Sequence, residues 1–163
     1  MKVKRETKKG IFKKIDDTEA KILVLLVDTE GCINAAFEKK YAYYHPNVSI
    51  GMGSELPVLY WQKWGGFICR CASSKRFPAK GLYQWGILKY TDVRAFLFKI
   101  VPYLQLKKKQ AEIALEMLDI LAAKTKGWKE RTKVLAAEIR RLNHQPLPNI
   151  DLQKLAHGTI MKR

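Results

Sequence analysis

The 163 residues carry 31 Lys and Arg against 15 Asp and Glu, a formal charge of +16 at pH 7. That length makes one domain with a sizeable core, and the positive excess is beyond what solubility needs; it points to a polyanion, nucleic acid ahead of an anionic membrane surface. Three cysteines, two of them in Cys69-Arg70-Cys71, exclude a disulfide framework and a zinc site, and no apolar run is long enough to span a bilayer. The basic start lacks the apolar stretch of a signal peptide, so an intracellular protein is expected.

Residues 1–14 hold seven basic side chains and one acid, and residues 1–17 are assigned to a solvated basic arm. Residues 20–33 are the first strongly patterned stretch. Ile22 to Val27 are all apolar and lead into Asp28-Thr29-Glu30-Gly31. By periodicity alone this run reads as a buried parallel strand as well as a helix. Asp16, Asp17 and Thr18 are good N-cap residues with Glu19 behind them, and Gly31 sits where a helix stops, which favours a helix over 18–29.

Residues 32–41 alternate, with Ile33, Ala35 and Phe37 inward and Cys32, Asn34, Ala36, Glu38 and Lys40 outward. A turn is expected at 43–47. A second strand follows, with Val48, Ile50 and Met52 inward and Asn47, Ser49, Gly51 and Gly53 outward. Ser54-Glu55 with Pro57 opens a short helix over 56–64, closed by Gly65-Gly66. The third strand, 67–72, is expected to turn Phe67, Cys69 and Cys71 inward and Arg70 and Ala72 outward. A basic loop with Lys75, Arg76 and Lys80 leads to a fourth strand over 81–89, with Tyr83, Trp85 and Ile87 inward and Gln84 outward. Hairpin alternation and short connections predict an antiparallel sheet and argue against a doubly wound fold, for which a second βαβ unit and a glycine-rich phosphate loop are missing.

From residue 91 the pattern is helical. Val93, Phe96, Leu97, Ile100 and Val101 share a face before Pro102, a second helix covers 107–124, Gly127 breaks it, and a third covers 129–142. Pro146 and Pro148 end regular structure and leave 146–163 as a tail, of which 149–163 reads equally as a short docking helix. The predicted architecture is α+β, an αββαββα unit with an antiparallel sheet and extra C-terminal helices, in one domain over 18–145.

Leu23-Val24-Leu25-Leu26-Val27-Asp28-Thr29-Glu30-Gly31 resembles the signature of the LAGLIDADG homing endonucleases. It matches the first Leu, a second Leu, the first Asp and the final Gly, with Val27 and Glu30 as conservative replacements. The element order is a second match. The third is the run from Trp85-Gly86-Ile87 through Phe96-Leu97, Ile100 and Pro102-Tyr103-Leu104 to Lys107. The resemblance spans about residues 23–107.

It implies a site-specific double-strand DNA endonuclease that hydrolyses phosphodiesters with Mg²⁺ (or another divalent cation) and leaves 3′ overhangs. Glu30 is then the metal ligand, with the Thr29 carbonyl completing coordination, while Asp28 packs or caps. Lys107 matches the family's charge-stabilising lysine, and Ser54 falls nearest the polar residue that holds water. A single motif implies a homodimer in which Leu23, Val24, Leu25, Val27 and Asp28 meet their copies across a two-fold axis, and a pseudo-palindromic duplex target. The family prefers small residues where Val24 and Leu25 stand, and a basic residue expected soon after Ser54 is missing, with Lys63 as a substitute. Sequence reading would fall to the outward sheet face in the major groove, through Asn34, Glu38, Lys40, Asn47, Ser49, Arg70 and Gln84, with Lys75, Arg76 and Lys80 on phosphates. The competing readings are an intron-splicing maturase on the same fold, a DNA-binding domain of that fold without catalysis, and a basic, ribosome-associated RNA-binding protein.

Overall fold

The first helix, α1 (Asp17–Glu30), starts where the local chemistry says it should. Asp16 accepts from the Glu19 backbone N–H at 2.8 Å and the Glu19 carboxylate reaches back to the Asp16 N–H, a capping box. In this computed structural model, residues 15–71 and 82–145 are described. Most of the basic arm, the loop bearing Lys75, Arg76 and Lys80, and the tail over 146–163 lie outside the described residues.

The chain continues through β1 (Gly31–Glu38), β2 (Tyr43–Met52), α2 (Glu55–Trp61) with a 3-10 turn over Gln62–Trp64, β3 (Phe67–Cys71), β4 (Leu82–Ile87), α3 (Tyr90–Ile100), α4 (Lys108–Ala123) and α5 (Trp128–Asn143). The four strands make one antiparallel sheet in the order β1-β2-β4-β3. This is the αββαββα order with two further helices, and α1 is a helix, not a strand.

Ile33, Val48, Ile50, Trp85 and Ile87 point from the sheet into the helical layer and are at most 1 % exposed. Trp85 is the hub. Its ring meets Trp61 and Phe96 edge-on, and its indole N–H donates to the Gly65 carbonyl at 2.7 Å. Gly66 permits that approach: its φ is +81°, and a Cβ there would sit 2.5 Å from the Gly86 carbonyl oxygen. The alternate strand residues Asn34, Asn47, Ser49, Gly51 and Gln84 share the opposite face, exposed or half-buried.

Three expectations about the strands are corrected. The first hairpin turns at Lys39–Ala42, not at 43–47, so Tyr43 to Asn47 belong to β2 and Lys40 to the turn. Pro46 is tolerated in β2 because the pairing with β4 reaches only to Val48, leaving an edge beyond it. Phe37 keeps the inward parity but is 49 % exposed, packed against Tyr44 at 4.9 Å near the hairpin tip.

β3 has the opposite parity to the one expected. Ile68 lies across from Trp85 and Arg70 across from Tyr83, on the core side, whereas Phe67 and Cys69 pair with Gly86 and Gln84 on the outer face. Arg70 lies over the Tyr83 ring, 5.7 Å from its centroid. A five-residue strand with an aromatic at one end gives too few alternations to fix its face; pairing with the buried Trp85 fixes it.

Candidate functional site

The junction from α1 to β1 collects the groups the signature singles out. Glu30 is the last helical residue, exposed, and Gly31 opens the strand. Gly31 is not a left-handed cap: its φ is −82°, within ordinary extended backbone. Its smallness answers a steric demand, since a Cβ there would lie 2.7 Å from both the Cα and the carbonyl oxygen of Val27. The Gly31 N–H donates to that same Val27 carbonyl.

Asp28 is 6 % exposed and is tied down from a distance along the chain. One carboxylate oxygen accepts from the Gln105 backbone N–H and the other from the Lys107 backbone N–H, each at 2.9 Å. The Lys107 ammonium in turn donates to the carbonyls of Val27 at 2.8 Å and Asp28 at 2.5 Å. So the segment before α4 clamps the end of α1, supplying a carboxylate with donors and the helix carbonyls with a cation. Burial pushes the Lys107 ammonium below the ordinary lysine range, opposed by the nearby charges of Asp28, Cys32 and Glu30. Lys107 therefore binds helix carbonyls in this structure.

The Glu30 carboxylate has no hydrogen bond or ion pair among the described residues, and it sits where the helix dipole already disfavours an acid. Gly31 pairs with Ile50, so the start of β1, the end of β2 and the start of β4 share one end of the sheet. Ser54 follows that end of β2 as the exposed N-cap of α2, and its side chain makes no capping bond. Thr29 donates its hydroxyl to the Leu25 carbonyl at 2.9 Å. Lys63 is excluded from this cluster. It pairs with Glu19 at 2.9 Å, at the opposite end of a helix that advances about 1.5 Å per residue.

The residues expected at a dimer contact, Leu23, Val24, Leu25, Val27 and Asp28, divide between two faces of α1. Leu23, Val24, Val27 and Asp28 are buried within the protomer, whereas Leu25 is 64 % exposed. The inward stripe is Ala20, Leu23, Val24, Val27 and Asp28, at spacings of three and four, and it packs on the chain's own sheet. The outer face holds Ile22, 51 % exposed, with Leu25 and Thr29. Ile22 lies outside the signature, and its spacing of three and seven to Leu25 and Thr29 puts it on their face of α1.

On the outer sheet face Asn34 stands opposite Asn47 and Cys32 opposite Ser49, and Gln84 lies opposite both Gly51 and Cys69. Asn34 Oδ1 accepts from the Ala35 N–H, and Glu38 from the Lys40 N–H. Asn34, Asn47, Ser49 and Gln84 thus come together on one surface, Glu38, opposite Tyr43, and Lys40 lie at the hairpin tip, and Arg70 is on the other side. Among the described residues the outer strand positions carry no Lys or Arg, and no group of three or more His, Cys, Asp or Glu gathers as a metal cage. No helix there is long and apolar enough to cross a membrane.

The chain has the fold of the LAGLIDADG homing endonucleases. The homing endonuclease I-CvuI, in complex with its target, is similar over 86 % of this chain and 92 % of its own, with a TM-score of 0.67 at 20 % identity. The archaeal intron-encoded homing endonuclease I-Vdi141I, complexed with DNA, aligns over 86 % of this chain and 94 % of its own, with a TM-score of 0.66 at 16 % identity. The LAGLIDADG meganuclease I-AabMI, bound to uncleaved DNA, aligns over 88 % of this chain but 50 % of its own, with a TM-score of 0.58 at 17 % identity. No protein-family model and no curated protein matches the sequence.

Proposed function

We propose that this chain is a homodimeric, Mg²⁺-dependent, site-specific DNA endonuclease of the intron-homing type. The observation that carries the reading is Glu30: an exposed carboxylate with no hydrogen bond or ion pair among the described residues, held at the end of a clamped helix beside a polar sheet face. Two copies meet through the outer face of α1, at Ile22, Leu25 and Thr29, and set their Glu30 carboxylates side by side. That this chain fits half the length of I-AabMI supports an assembly of two such units. Leu25 stands where a small residue would allow closer approach, so the helices pack toward the wide end of the usual 8–10 Å range.

The donor set fits a hard cation. Mg²⁺ takes oxygen ligands, keeps several waters and needs few carboxylates beside phosphate oxygens. Glu30 from each protomer would hold it, with the Thr29 carbonyl; Asp28 is occupied by backbone donors. When bound, the ion activates water and neutralises charge on the phosphate. The chain's own residues do the rest. Lys107 is a positioning residue that fixes the last turn of α1 and so the direction of Glu30. Ser54, at the same end of the sheet, orders water. Asn34, Asn47, Ser49, Gln84 and Glu38 read base edges in the major groove of a roughly palindromic target, Lys40 grips phosphate at the hairpin tip, and staggered cuts leave 3′ overhangs.

Incubating the chain with Mg²⁺ and a randomised duplex library tests this. Discrete double-strand cuts at one sequence are expected. Glu30→Gln should slow cutting at least ~100-fold, the order seen when a charge-stabilising group is removed, while duplex binding persists. A library left intact, or a Glu30→Gln protein that cuts like the parent, overturns the endonuclease; retained splicing of an intron RNA by the variant identifies the maturase instead. Sedimentation of Leu25→Glu as a monomer where the parent is a dimer tests the pairing.

A further inference from the structure

β1 carries the chain about 25 Å from Glu30, to a hairpin tip that packs against the corner between α4 and α5. There Lys40, Tyr43, Tyr90, Lys124, Trp128 and Lys129 line most of a cavity of about 540 Å³. That lies within the range of about 300–1,000 Å³ typical of small-molecule sites. Its chemistry is two-sided. Three ammonium groups border it and no carboxylate does; the neighbouring Glu38 carboxylate is taken up by the Lys40 N–H. Aromatic rings form the rest. Tyr43 and Trp128 are tilted at 58° with centroids 5.2 Å apart, and the Tyr43 and Tyr90 hydroxyls hydrogen-bond to each other. The lysines lie near those rings: Lys129 Nζ is 5.7 Å from the Trp128 centroid, and Lys40 Nζ is 5.0 Å from that of Tyr41, which also borders the cavity.

The backbone singles out the same place. Among the described residues only two non-glycine residues have positive φ, Ala42 at 53° and Lys124 at 46°, and both line this cavity. The left-handed conformation disfavours a side chain, and a left-handed residue that ends a helix is usually glycine. Lys124 instead accepts that strain and keeps an ammonium on the rim. Strained backbone of this kind clusters at ligand sites.

We infer that this cavity binds a nucleotide, its base stacked among Trp128, Tyr43 and Tyr90 and its phosphate held by Lys124, Lys129 and Lys40. A flat aromatic ring joined to a compact polyanion is the ligand that such a lining selects, and base stacking beside a basic rim is the mode used for unpaired nucleotides. The source is either a free nucleotide or one unpaired nucleotide of a strand. The inference uses neither Glu30 nor the cutting reaction and shares only Lys40 with the proposed duplex contacts, so it is tested without Mg²⁺ or duplex DNA.

Calorimetry at about 0.15 M salt, without Mg²⁺, tests it with AMP, adenosine, inorganic phosphate and an eight-nucleotide single strand. AMP should bind, and adenosine and phosphate at least tenfold more weakly, since each lacks half of the ligand. A strand that binds at least tenfold more tightly than AMP and is displaced by it assigns the source to nucleic acid; a strand no tighter than AMP assigns it to free nucleotide. Trp128→Leu should weaken AMP about tenfold. Lys124→Gly relieves the backbone strain while deleting the charge, so AMP affinity should fall about fivefold in a protein at least as stable as the parent. Failure of AMP to bind, or unchanged affinity in both variants, overturns the inference.

Discussion

The two ends of α1 are held by different kinds of interaction. At the start, the capping box closes between residues three positions apart, on the surface. At the finish, Asp28 and the carbonyls beside it are held by Gln105 and Lys107, 77 to 80 positions further along the chain and half-buried. The first end forms from local sequence; the second exists only once α3 and the segment after it have packed. The difference places the buried, long-range interactions at the end that carries Glu30, whose direction matters only in the proposed reaction, and leaves the opposite end to a surface motif.

Four substitutions test that asymmetry. Asp28→Ala should have the largest effect, about 3 kcal/mol lost in denaturant unfolding, because two backbone donors lose a charged acceptor in a buried place. A loss no larger than that of the surface cap would remove the distinction between the two ends. Gly31→Ala follows at about 2 kcal/mol, the usual scale of forcing a methyl into filled space, here against the Val27 backbone. Asp16→Ala should cost about 1 kcal/mol, as N-cap losses do. Lys63→Gln should leave the melting temperature where it was, since its pairing with Glu19 is exposed.

Lys107 sharpens the comparison through pH. Burial lowers its proton affinity in the folded protein, whereas an unfolded lysine titrates near about 10.4. As pH rises from the lowered native value toward that of the unfolded chain, the folded state sheds the proton first and the unfolded state holds more protons. Stability from this group therefore increases across that alkaline window and is level below it. Lys107→Met should lose about 1 kcal/mol at neutral pH from its missing hydrogen bonds, and its stability should rise less steeply than the parent's between the two values. Parallel curves would mean that Lys107 is not buried against the helix end.

How far the site could be read in advance follows the same division. Asp16, Glu19 and Gly31 bracket α1 because capping depends on residues three or four apart, and Glu30 follows from the motif those brackets enclose. The motif does not say which of its side chains face outward. Leu23, Val24, Val27 and Asp28 face the chain's own sheet and Leu25 with Ile22 faces away, a matter of helical phase against a sheet located elsewhere in the chain. β3 misled for a similar reason: its five residues acquire a face only by pairing with β4.

The sequence by itself determined the helices, the strands and their order, the basic excess and the two acids, Asp28 and Glu30, at the end of the signature, because periodicity, capping and charge are local properties. The tertiary structure alone decided where the first hairpin turns, which face Arg70 takes, that Lys107 grips helix carbonyls, and that three lysines and a set of aromatic rings from the hairpin tip, α3, α4 and α5 close on one cavity. Each of those depends on contacts between residues far apart in the chain, which no local pattern encodes.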